Sequence, residues 1–485
     1  MALEFPLRSV GKTDFDALLG FLRESGYNEA FLLEHFEAVS MHELLYARGA
    51  RQEALEGRFS GDGEALFLAR LLLSGKPVSA EEITRYLPAD VERVMRETGL
   101  LNEERRCPVL LHPAFGLYVA SDRLGYSGSD FVMSGSEGLC RQFLQYIGRG
   151  PCERFLDVGT GAGLGAMLAA SFAREVWAVD IVERAVRYAE WNCRLNGLGN
   201  VRVVQGDLFA PVAGIRFDRI ASNPPFEPSL TGDVVYSCGG VDGEAILERL
   251  IRELPEHLAP GGRLYCLLEG TDRESETLDE RVVRWLGAEA ARHDTALFVR
   301  DTYAPMHFAM QQVVHGNDST ATLERWAELY GGLQAKAVVI GHLIVQAHGG
   351  ERPSFHRRGR FHENAVVEDL EMCVDRETEI AGGGMAVLRP VCGTDWELHV
   401  RHRPEGGGLR PARYTFVTDF PLMGEWEVPE WVARMAPRCN GEIRAEQHAQ
   451  WAESNAGVGS DEVYRQLEGL LWAGVLRLPS MEEPS

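Results

Sequence analysis

The first quarter of the chain has the apolar spacing of amphipathic helices. DFDALLGFLRESG (residues 14–26) and EALFLARLLLSG (64–75) place apolar residues three and four positions apart. Ser79 followed by Glu82 is a capping box that predicts a helix start, and a second helix is predicted to end at Gly99. CPVLLHPAFGLYVASD then predicts a β-hairpin. We therefore expect a helical, winged-helix-like domain over residues 1–124.

The pattern changes over residues 125–350, where short apolar runs alternate with helical segments such as ERAVRYAEWNCRLNG. The runs end in small or polar residues and read RFLDVG, EVWAVD, VRVVQGD, DRIASNPP and GRLYCLLE. This alternation predicts βαβ units, and hence an α/β fold with a parallel sheet. ALFVRD and AKAVVIGHLIVQAH predict two further strands at one edge of that sheet.

Residues 351–485 carry a weaker pattern, from which we expect a small α+β domain. SFHRRGRFH is a local run of basic residues and histidines, and RPEGGGLRP is typical of a loop. DEVYRQLEGLLWAG predicts a final helix that leads into VLRLP.

The charge balance bears on nucleic-acid binding. The 485 residues include 72 Asp and Glu against 49 Lys and Arg, a net charge of −23. A surface this acidic opposes broad, sequence-independent binding to nucleic acid. The segment that would serve as the recognition helix, Asp90–Thr98, mixes both signs of charge. We therefore interpret the N-terminal region as a packing or substrate-recognition module rather than a DNA-docking one.

The cysteines and the apolar runs indicate a compartment. The nine cysteines are never spaced as CxxC, which favours reduced thiols over disulfides or a zinc site. No run approaches the roughly 18 apolar residues of a membrane span. We expect a cytoplasmic protein without a membrane partner, and the sequence predicts no particular oligomeric state.

A glycine-rich turn follows the first strand of the α/β region. Phe155–Gly163 reads FLDVGTGAG, and its glycines allow close approach to a ligand or a tight strand-to-helix connection. Similar turns bind NAD or FAD. Two further acids narrow the choice, because Asp180 can accept from both ribose hydroxyls and Asp207 from an adenine amino group. Together with Asp157, these acids favour an adenosine-containing ligand at one sheet edge.

The run Ser222–Phe226 follows the fourth strand and suggests a grip on a planar NH2 group. Two prolines stiffen the backbone and remove two donors. The side-chain oxygen of Asn223 and the carbonyl of Pro224 can then accept the two hydrogens, while Phe226 offers a ring for stacking. Orienting such a nitrogen towards an electrophile raises its reactivity without a strong base or a metal.

The motifs DVGTGAG, AVD, GDLF and SNPPF, in this order, resemble those of class I S-adenosylmethionine-dependent methyltransferases of the NPPY/NPPF group. This group includes release-factor glutamine, rRNA guanine-N2 and adenine-N6 methyltransferases. The resemblance covers about residues 125–350 and implies a Rossmann-like seven-stranded core, S-adenosyl-L-methionine as cofactor and methylation of an amide or amino nitrogen. IASNPPF also fits the adenine-N6 signature, whereas GGVDG before a helix is similar to the release-factor enzymes. Glu227 and Pro228 depart from the release-factor pattern, which leaves the acceptor open.

The resemblance also implies roles for single residues. Those that would hold the cofactor are Asp157, Gly159, Thr160, Gly161, Gly163, Asp180, Ile181, Asp207, Leu208 and Asn223. Those that would present the acceptor nitrogen are Asn223, Pro224, Pro225 and Phe226. Ser134–Ser136 lies where related enzymes close over the cofactor.

Two other clusters are weaker candidates. The histidines at 342, 348, 356 and 362 would suggest a metal, but their spacing matches no helical or finger pattern, so we expect no metal site. Arg357, Arg358 and Arg360 could hold a phosphate or an acidic substrate, although a solvated loop is the favoured interpretation.

Three functions are compatible with these patterns. The favoured one is an N-methyltransferase whose acceptor is a protein, a peptide or a small molecule. The alternatives are a nucleic-acid base methyltransferase guided by the N-terminal region, and a non-catalytic regulator that binds DNA and senses the cofactor. The net charge disfavours the first alternative. The intact Asn-Pro-Pro-Phe disfavours the second, because a sensor needs no acceptor clamp.

Overall fold

The computed structural model describes residues 4–46, 49–124, 126, 128–136, 138–228, 239–315, 320–350 and 352–479. The chain divides into two compact units, Met1–Cys266 and Leu267–Ser485. This division does not coincide with the boundaries predicted near residues 124 and 350, and the three-domain organisation stays a prediction.

The first unit combines a helical N-terminal part with an α/β part. Its helices are α1 (Lys12–Glu24), α2 (Glu29–Phe36), α3 (Met41–Tyr46), α4 (Gly49–Arg58), α5 (Glu64–Leu68), α6 (Ala80–Tyr86), α7 (Ala89–Glu97), α8 (Gly138–Gln145), α9 (Leu164–Ala169), α10 (Glu183–Leu195) and α11 (Ala245–His257). Its strands are β1 (Leu110–Ala114), β2 (Leu117–Ser121), β3 (Cys152–Val158), β4 (Ala173–Asp180), β5 (Val201–Gln205), β6 (Phe217–Ser222) and β7 (Leu258–Arg273), which continues into the second unit.

Local signals located most of the N-terminal elements. Ser79 and Glu82 form the predicted capping box of α6, and β1 pairs with β2 as the predicted hairpin. The predicted helix at 64–75 is α5 continued by a π-helical segment, Ala69–Ser74. Helices α2 to α4 were not predicted, because six to ten residues give too few turns for a clear period.

The α/β part of the first unit is a parallel sheet in the order β7-β6-β3-β4-β5. The chain runs outward from β3 through β4 to β5, and then returns to the other side of β3 as β6. Such a reversal opens a crevice at the carboxyl ends of the strands. The predicted α/β class is confirmed, and Phe155 and Leu156 of β3 are fully buried in its core.

The hairpin β1-β2 packs against helix α10 through side-chain amides. Asn192 exchanges two hydrogen bonds with the backbone of Ala120, at 2.8 and 2.9 Å. Asn196 does the same with Tyr118, at 2.9 and 2.8 Å. The two amides thus stand in for a neighbouring strand and satisfy buried backbone groups. These contacts favour the packing interpretation of the N-terminal region.

The second unit is α+β. Its strands are β8 (His293–Tyr303), β9 (Ala335–Ala347), β10 (His356–Phe361), β11 (Val391–Cys392), β12 (Trp396–Glu405), β13 (Gly408–Thr418), β14 (Leu422–Val428) and β15 (Leu476–Arg477). Its helices are α12 (Leu278–Leu286), α13 (Pro305–His315), α14 (Thr320–Gly332), α15 (Val367–Gly383), α16 (Glu430–Met435), α17 (Ala445–Ala456) and α18 (Ser460–Trp472). Six of these strands follow the order β12-β13-β14-β10-β8-β9.

The basic run near residue 358 is a strand, so the loop interpretation was wrong. Strand β10 pairs in parallel with β8. Arg358 donates to Asp272 and Asp279 at 2.7–2.9 Å, and Arg357 donates to the buried Glu377 at 2.6 Å. Because acids of the same unit already neutralise these guanidinium groups, they are poorly suited to bind a phosphate.

The segment predicted as a loop at 403–411 is the end of a hairpin. Only Gly406 and Gly407 form its turn, with φ of 60° and 82°, and the flanking residues extend β12 and β13. Two consecutive residues with positive φ match the twist of an antiparallel pair.

Of the four histidines that the sequence analysis weighed as metal ligands and set aside, three have other surroundings in the structure. His342 is buried in β9, where burial lowers its pKa to about 3. His348 contacts Ser354 and His356 contacts Thr295. Within the described ranges, no group of three or more His, Cys, Asp or Glu residues could hold a metal ion. Nor does that part of the chain contain a helix long and apolar enough to cross a membrane.

Candidate active site

A cavity of about 480 Å³ lies at the carboxyl ends of the parallel strands in the first unit. Its size is that of a site for a small molecule or cofactor. The predicted site residues that line it are Asp157, Gly159, Thr160, Gly161, Asp180, Ile181, Asp207, Leu208, Asn223 and Pro225. Gly163, Pro224 and Phe226 are not among its lining residues. The strand-end acids therefore meet at one cavity, as expected from a parallel sheet.

Asp157 is a buried carboxylate at the end of β3. Its Oδ2 accepts hydrogen bonds from the Thr160 hydroxyl at 2.7 Å and from the Ala166 backbone N–H at 2.9 Å. Burial nevertheless raises its pKa to about 6. The side chain ties the glycine turn to the start of α9, and Gly165 leaves room for it, because a Cβ there would lie 2.7 Å from Oδ2.

The glycines at every second position of the turn, Gly159, Gly161 and Gly163, have different surroundings. Gly159 and Gly161 have φ of 75° and 56°, and a Cβ on either would meet no atom within 4 Å. Both line the cavity, so that open space belongs to the ligand. Gly163 has φ of 89°, and its Cβ would lie 2.9 Å from the Cβ of Ala189 on α10. Gly163 thus allows close packing of the turn against a helix.

Asp180, at the end of β4, forms another part of the cavity wall. Its Oδ2 accepts from the Gly161 N–H at 2.8 Å and its Oδ1 from the Val182 N–H at 2.9 Å. Burial raises its pKa. A carboxylate has about four lone-pair sites, so the fixed side chain can still accept a hydrogen bond from a ligand hydroxyl.

Asp207 is held by an arginine that the sequence analysis did not single out. Arg249 of α11 donates to the two carboxylate oxygens of Asp207 at 3.2 and 2.9 Å, and it also lines the cavity. The hydrogen bond to Asp207 raises the pKa of Arg249. No local signal in the sequence could find this pair, because its members lie 42 positions apart.

Asn223, at the end of β6, also lines the cavity. Its Nδ2 donates to the sulfur of Cys140 on α8 at 3.1 Å. Its Oδ1 is buried and receives no hydrogen bond from the residues that the structure describes. A buried acceptor without a donor is costly unless a ligand supplies one. Cys140, which the sequence analysis also missed, thereby orients the amide so that its oxygen stays available.

The loop after Asn223 is shaped by two glycines. The Gly239 N–H donates to the carbonyl of Glu227 at 2.7 Å, and a Cβ on Gly239 would lie 2.8 Å from the carbonyl oxygen of Pro225. A Cβ on Gly243 would collide with the carbonyl oxygen of Phe226. The GGVDG segment therefore packs backbone to backbone against the Asn-Pro-Pro-Phe loop and fixes its position.

Residues 131–135 and α8 supply an apolar wall, with Phe131, Val132, Phe143 and Leu144 facing the cavity. Ser134 also lines it, and its hydroxyl lies 2.9 Å from that of Ser136, which in turn lies 2.7 Å from His112 Nε2. The segment that the resemblance places over the cofactor is thus tied to the buried hairpin strand β1.

S-adenosylmethionine fits this donor set. Asp180 and Asp207 offer carboxylate oxygens at two neighbouring strand ends, and the two open glycines leave space beside Asp157. The apolar wall suits the flat faces of an adenine ring. Asn223 Oδ1, the acceptor without a donor, lies on the same cavity.

Comparisons with known proteins agree with this layout. Residues 129–285 match the family model for the methyltransferase small domain. The chain is 38% identical over 156 residues to the ribosomal protein uL3 glutamine methyltransferase of Bradyrhizobium diazoefficiens, covering 28% of this chain and 47% of that one. It is 36% identical over 132 residues to a putative protein N5-glutamine methyltransferase of Methanocaldococcus jannaschii, covering 26% of this chain and 66% of that one. It is 40% identical over 157 residues to the release factor glutamine methyltransferase of Yersinia pestis, covering 30% of this chain and 55% of that one.

The chain spans about half the length of the first of these curated relatives. The similarity falls on the segment that carries the glycine turn, the three acids and the Asn-Pro-Pro-Phe loop. Residues 129–285 are therefore a class I S-adenosylmethionine-dependent methyltransferase domain of the group marked by Asn-Pro-Pro and a following aromatic residue.

Proposed function

We propose that the whole protein methylates the side-chain amide nitrogen of a glutamine in a protein. The observation that carries this proposal is the buried Oδ1 of Asn223, to which none of the described residues donates. An acceptor of this kind pairs with an N–H of the incoming amide. The relatives named as glutamine methyltransferases support a glutamine side chain of a protein as the source of this amide N–H.

The chain's own residues would act by positioning. Bound S-adenosylmethionine supplies an electrophilic methyl group. Asn223 Oδ1 and the Pro224 carbonyl would accept the two amide hydrogens, which localises electron density on the nitrogen and aims its lone pair along the cavity. Cys140 would keep the Asn223 amide from turning over, and Phe226 would stack on the planar acceptor. The nitrogen gains the methyl group and releases one proton to solvent.

We also propose that the methyltransferase core is seven-stranded and that residues 1–124 and 351–485 are accessory regions to it. The amide contacts from α10 to the hairpin support a fixed N-terminal region that would help to shape the acceptor entrance. A cytoplasmic location stays a prediction.

The acceptor class is tested with S-adenosylmethionine carrying a labelled methyl group. Purified protein is incubated with cell extract, which is then separated into protein, nucleic acid and small molecules. We expect the label in the protein fraction, and acid hydrolysis should release it as methylamine, because an N-methylated glutamine amide hydrolyses to glutamate and methylamine. Label in the nucleic-acid fraction would instead establish a base methyltransferase, and no transfer to any fraction would favour the regulator.

Asn223→Ala tests the clamp itself. We expect a loss of turnover of about 10²–10³-fold, because one preorganised polar contact to the reacting group is removed. S-adenosylmethionine affinity by isothermal titration should change little. Asn200→Ala is the matched control, since Asn200 lies just before β5, is not among the residues that line the cavity, and donates its amide to the carbonyls of Ala170 and Ala173. Equal turnover of the Asn223 variant and wild type would contradict the clamp.

A further inference from the structure

The outer half of the β12-β13 hairpin is a two-stranded ribbon in solvent. Every residue from 401 to 413 is exposed. The third strand, β14, pairs with β13 only from Tyr414 to Thr418, at the base of the hairpin. A two-stranded ribbon without a buried face gains little stability of its own. The extension of this ribbon into solvent therefore suggests a function other than packing in the core of the unit.

Four arginines share one face of this ribbon. The register places Arg401 opposite Arg413 and Arg403 opposite Arg410. Opposed residues of an antiparallel pair point to the same side, and side chains two positions apart along a strand do so as well. The pairing shifts between Arg401 and His402, and this irregularity absorbs the additional residue on β13. The four guanidinium groups therefore form a compact cationic patch.

This arrangement costs folding stability. Like charges directly opposite each other on neighbouring strands repel. Two acids offset part of the repulsion, since Glu405 lies 3.6 Å from Arg410 and Glu427 lies 3.3 Å from Arg413. Arg401 and Arg403 have no ion-pair partner among the residues that the structure describes. In a chain of net charge −23, two like-charged cross-strand pairs at an exposed tip point to an external anion.

We propose that this arginine face binds the phosphate backbone of a nucleic-acid strand. Residues two positions apart along a strand lie about 6.8 Å apart, so the two arginine pairs are separated by about this distance along β12. A nucleic acid presents its phosphates in a regular row, and guanidinium groups bind phosphate oxygens through paired hydrogen bonds. This site revises the expectation drawn from net charge alone, and it does not depend on the proposed methylation.

The test is fluorescence anisotropy of a labelled single-stranded RNA of mixed sequence, titrated with the full chain over a salt series. Four phosphate contacts should give a slope of log affinity on log salt of about −2.8, or a loss of about 50-fold between about 50 and 200 mM salt. The variant R401Q/R403Q/R410Q/R413Q should lose this slope. E405Q/E427Q should bind more tightly than wild type, because it removes two anions that compete with phosphate.

The matched control is R434Q/R444Q/R465Q/R477Q, which removes the same charge from arginines that each pair with a nearby acid. It should keep the wild-type slope. Unchanged S-adenosylmethionine affinity and a melting temperature no lower than that of wild type would show that each variant is folded. Equal loss in both quadruple variants, absence of salt-dependent binding by wild type, or displacement of RNA by polyglutamate at equal charge would each overturn the proposal.

Discussion

Gly159 and Gly163 lie in one turn and have similar backbone conformations, with φ of 75° and 89°. Their surroundings differ. A Cβ on Gly159 would meet no atom within 4 Å and would project into the cavity, whereas a Cβ on Gly163 would lie 2.9 Å from the Cβ of Ala189. Replacing each glycine by alanine therefore adds the same methyl group to ligand space in one case and to packed protein in the other.

The expected magnitudes follow from these contacts. Alanine at positive φ costs about 1–2 kcal/mol at either position. Gly163→Ala adds an overpacking cost of about 1–3 kcal/mol against α10, so its free energy of unfolding should fall by about 2–5 kcal/mol. Gly159→Ala should lower the free energy of unfolding by the backbone cost alone. Its methyl group should instead weaken S-adenosylmethionine binding by about 1–3 kcal/mol, or about 5- to 150-fold.

Urea denaturation and isothermal titration of both variants measure the two effects separately. Gly163→Ala should be the less stable variant and should bind S-adenosylmethionine as wild type does at a temperature where it is folded. Gly159→Ala should show the reverse. Equal destabilisation of the two variants, or loss of cofactor affinity in Gly163→Ala alone, would refute the assignment of one glycine to packing and the other to the ligand.

Two further predictions concern the acids of the cavity. Asp157 has its pKa raised to about 6, so the folded state holds its proton more tightly than the unfolded state does, and its contribution to stability is present below the ordinary pKa of about 4 and lost as pH rises through 6. In urea denaturation, the free energy of unfolding of wild type should therefore fall by roughly 2 kcal/mol between pH 4 and pH 7 relative to Asp157→Asn, and identical pH profiles of the two proteins would contradict this role of Asp157. Arg249→Met should weaken S-adenosylmethionine binding by only about 0.2–1 kcal/mol, because its ion pair with Asp207 is partly exposed. Arg252→Met, which removes the partner of Glu248, serves as its control in the same titration, and an effect of equal size there would rule out a role for Arg249 at the cavity.

The sequence by itself determined the features that are encoded within a few neighbouring residues. The capping box of Ser79 and Glu82 and the α/β alternation are of this kind, because caps and hydrophobic periods depend on local backbone geometry. The convergence of Asp157, Asp180 and Asn223 was also predictable, since the carboxyl ends of parallel strands meet at one sheet edge.

Only the tertiary structure decided which distant groups meet. Asp207 finds Arg249 across 42 positions, and Asn223 finds Cys140 across 83, through the packing of α11 and α8 on the cavity. Gly163 was predicted to cradle the cofactor, but α10 packs closely against it, and the sequence pattern does not indicate this contact. The basic run at 357–358 was neutralised by acids brought from other elements. The arginines between 401 and 413 became a patch because cross-strand pairing places residues 7 to 12 positions apart directly opposite each other. Such pairings depend on how complete elements pack, which no short stretch of sequence specifies.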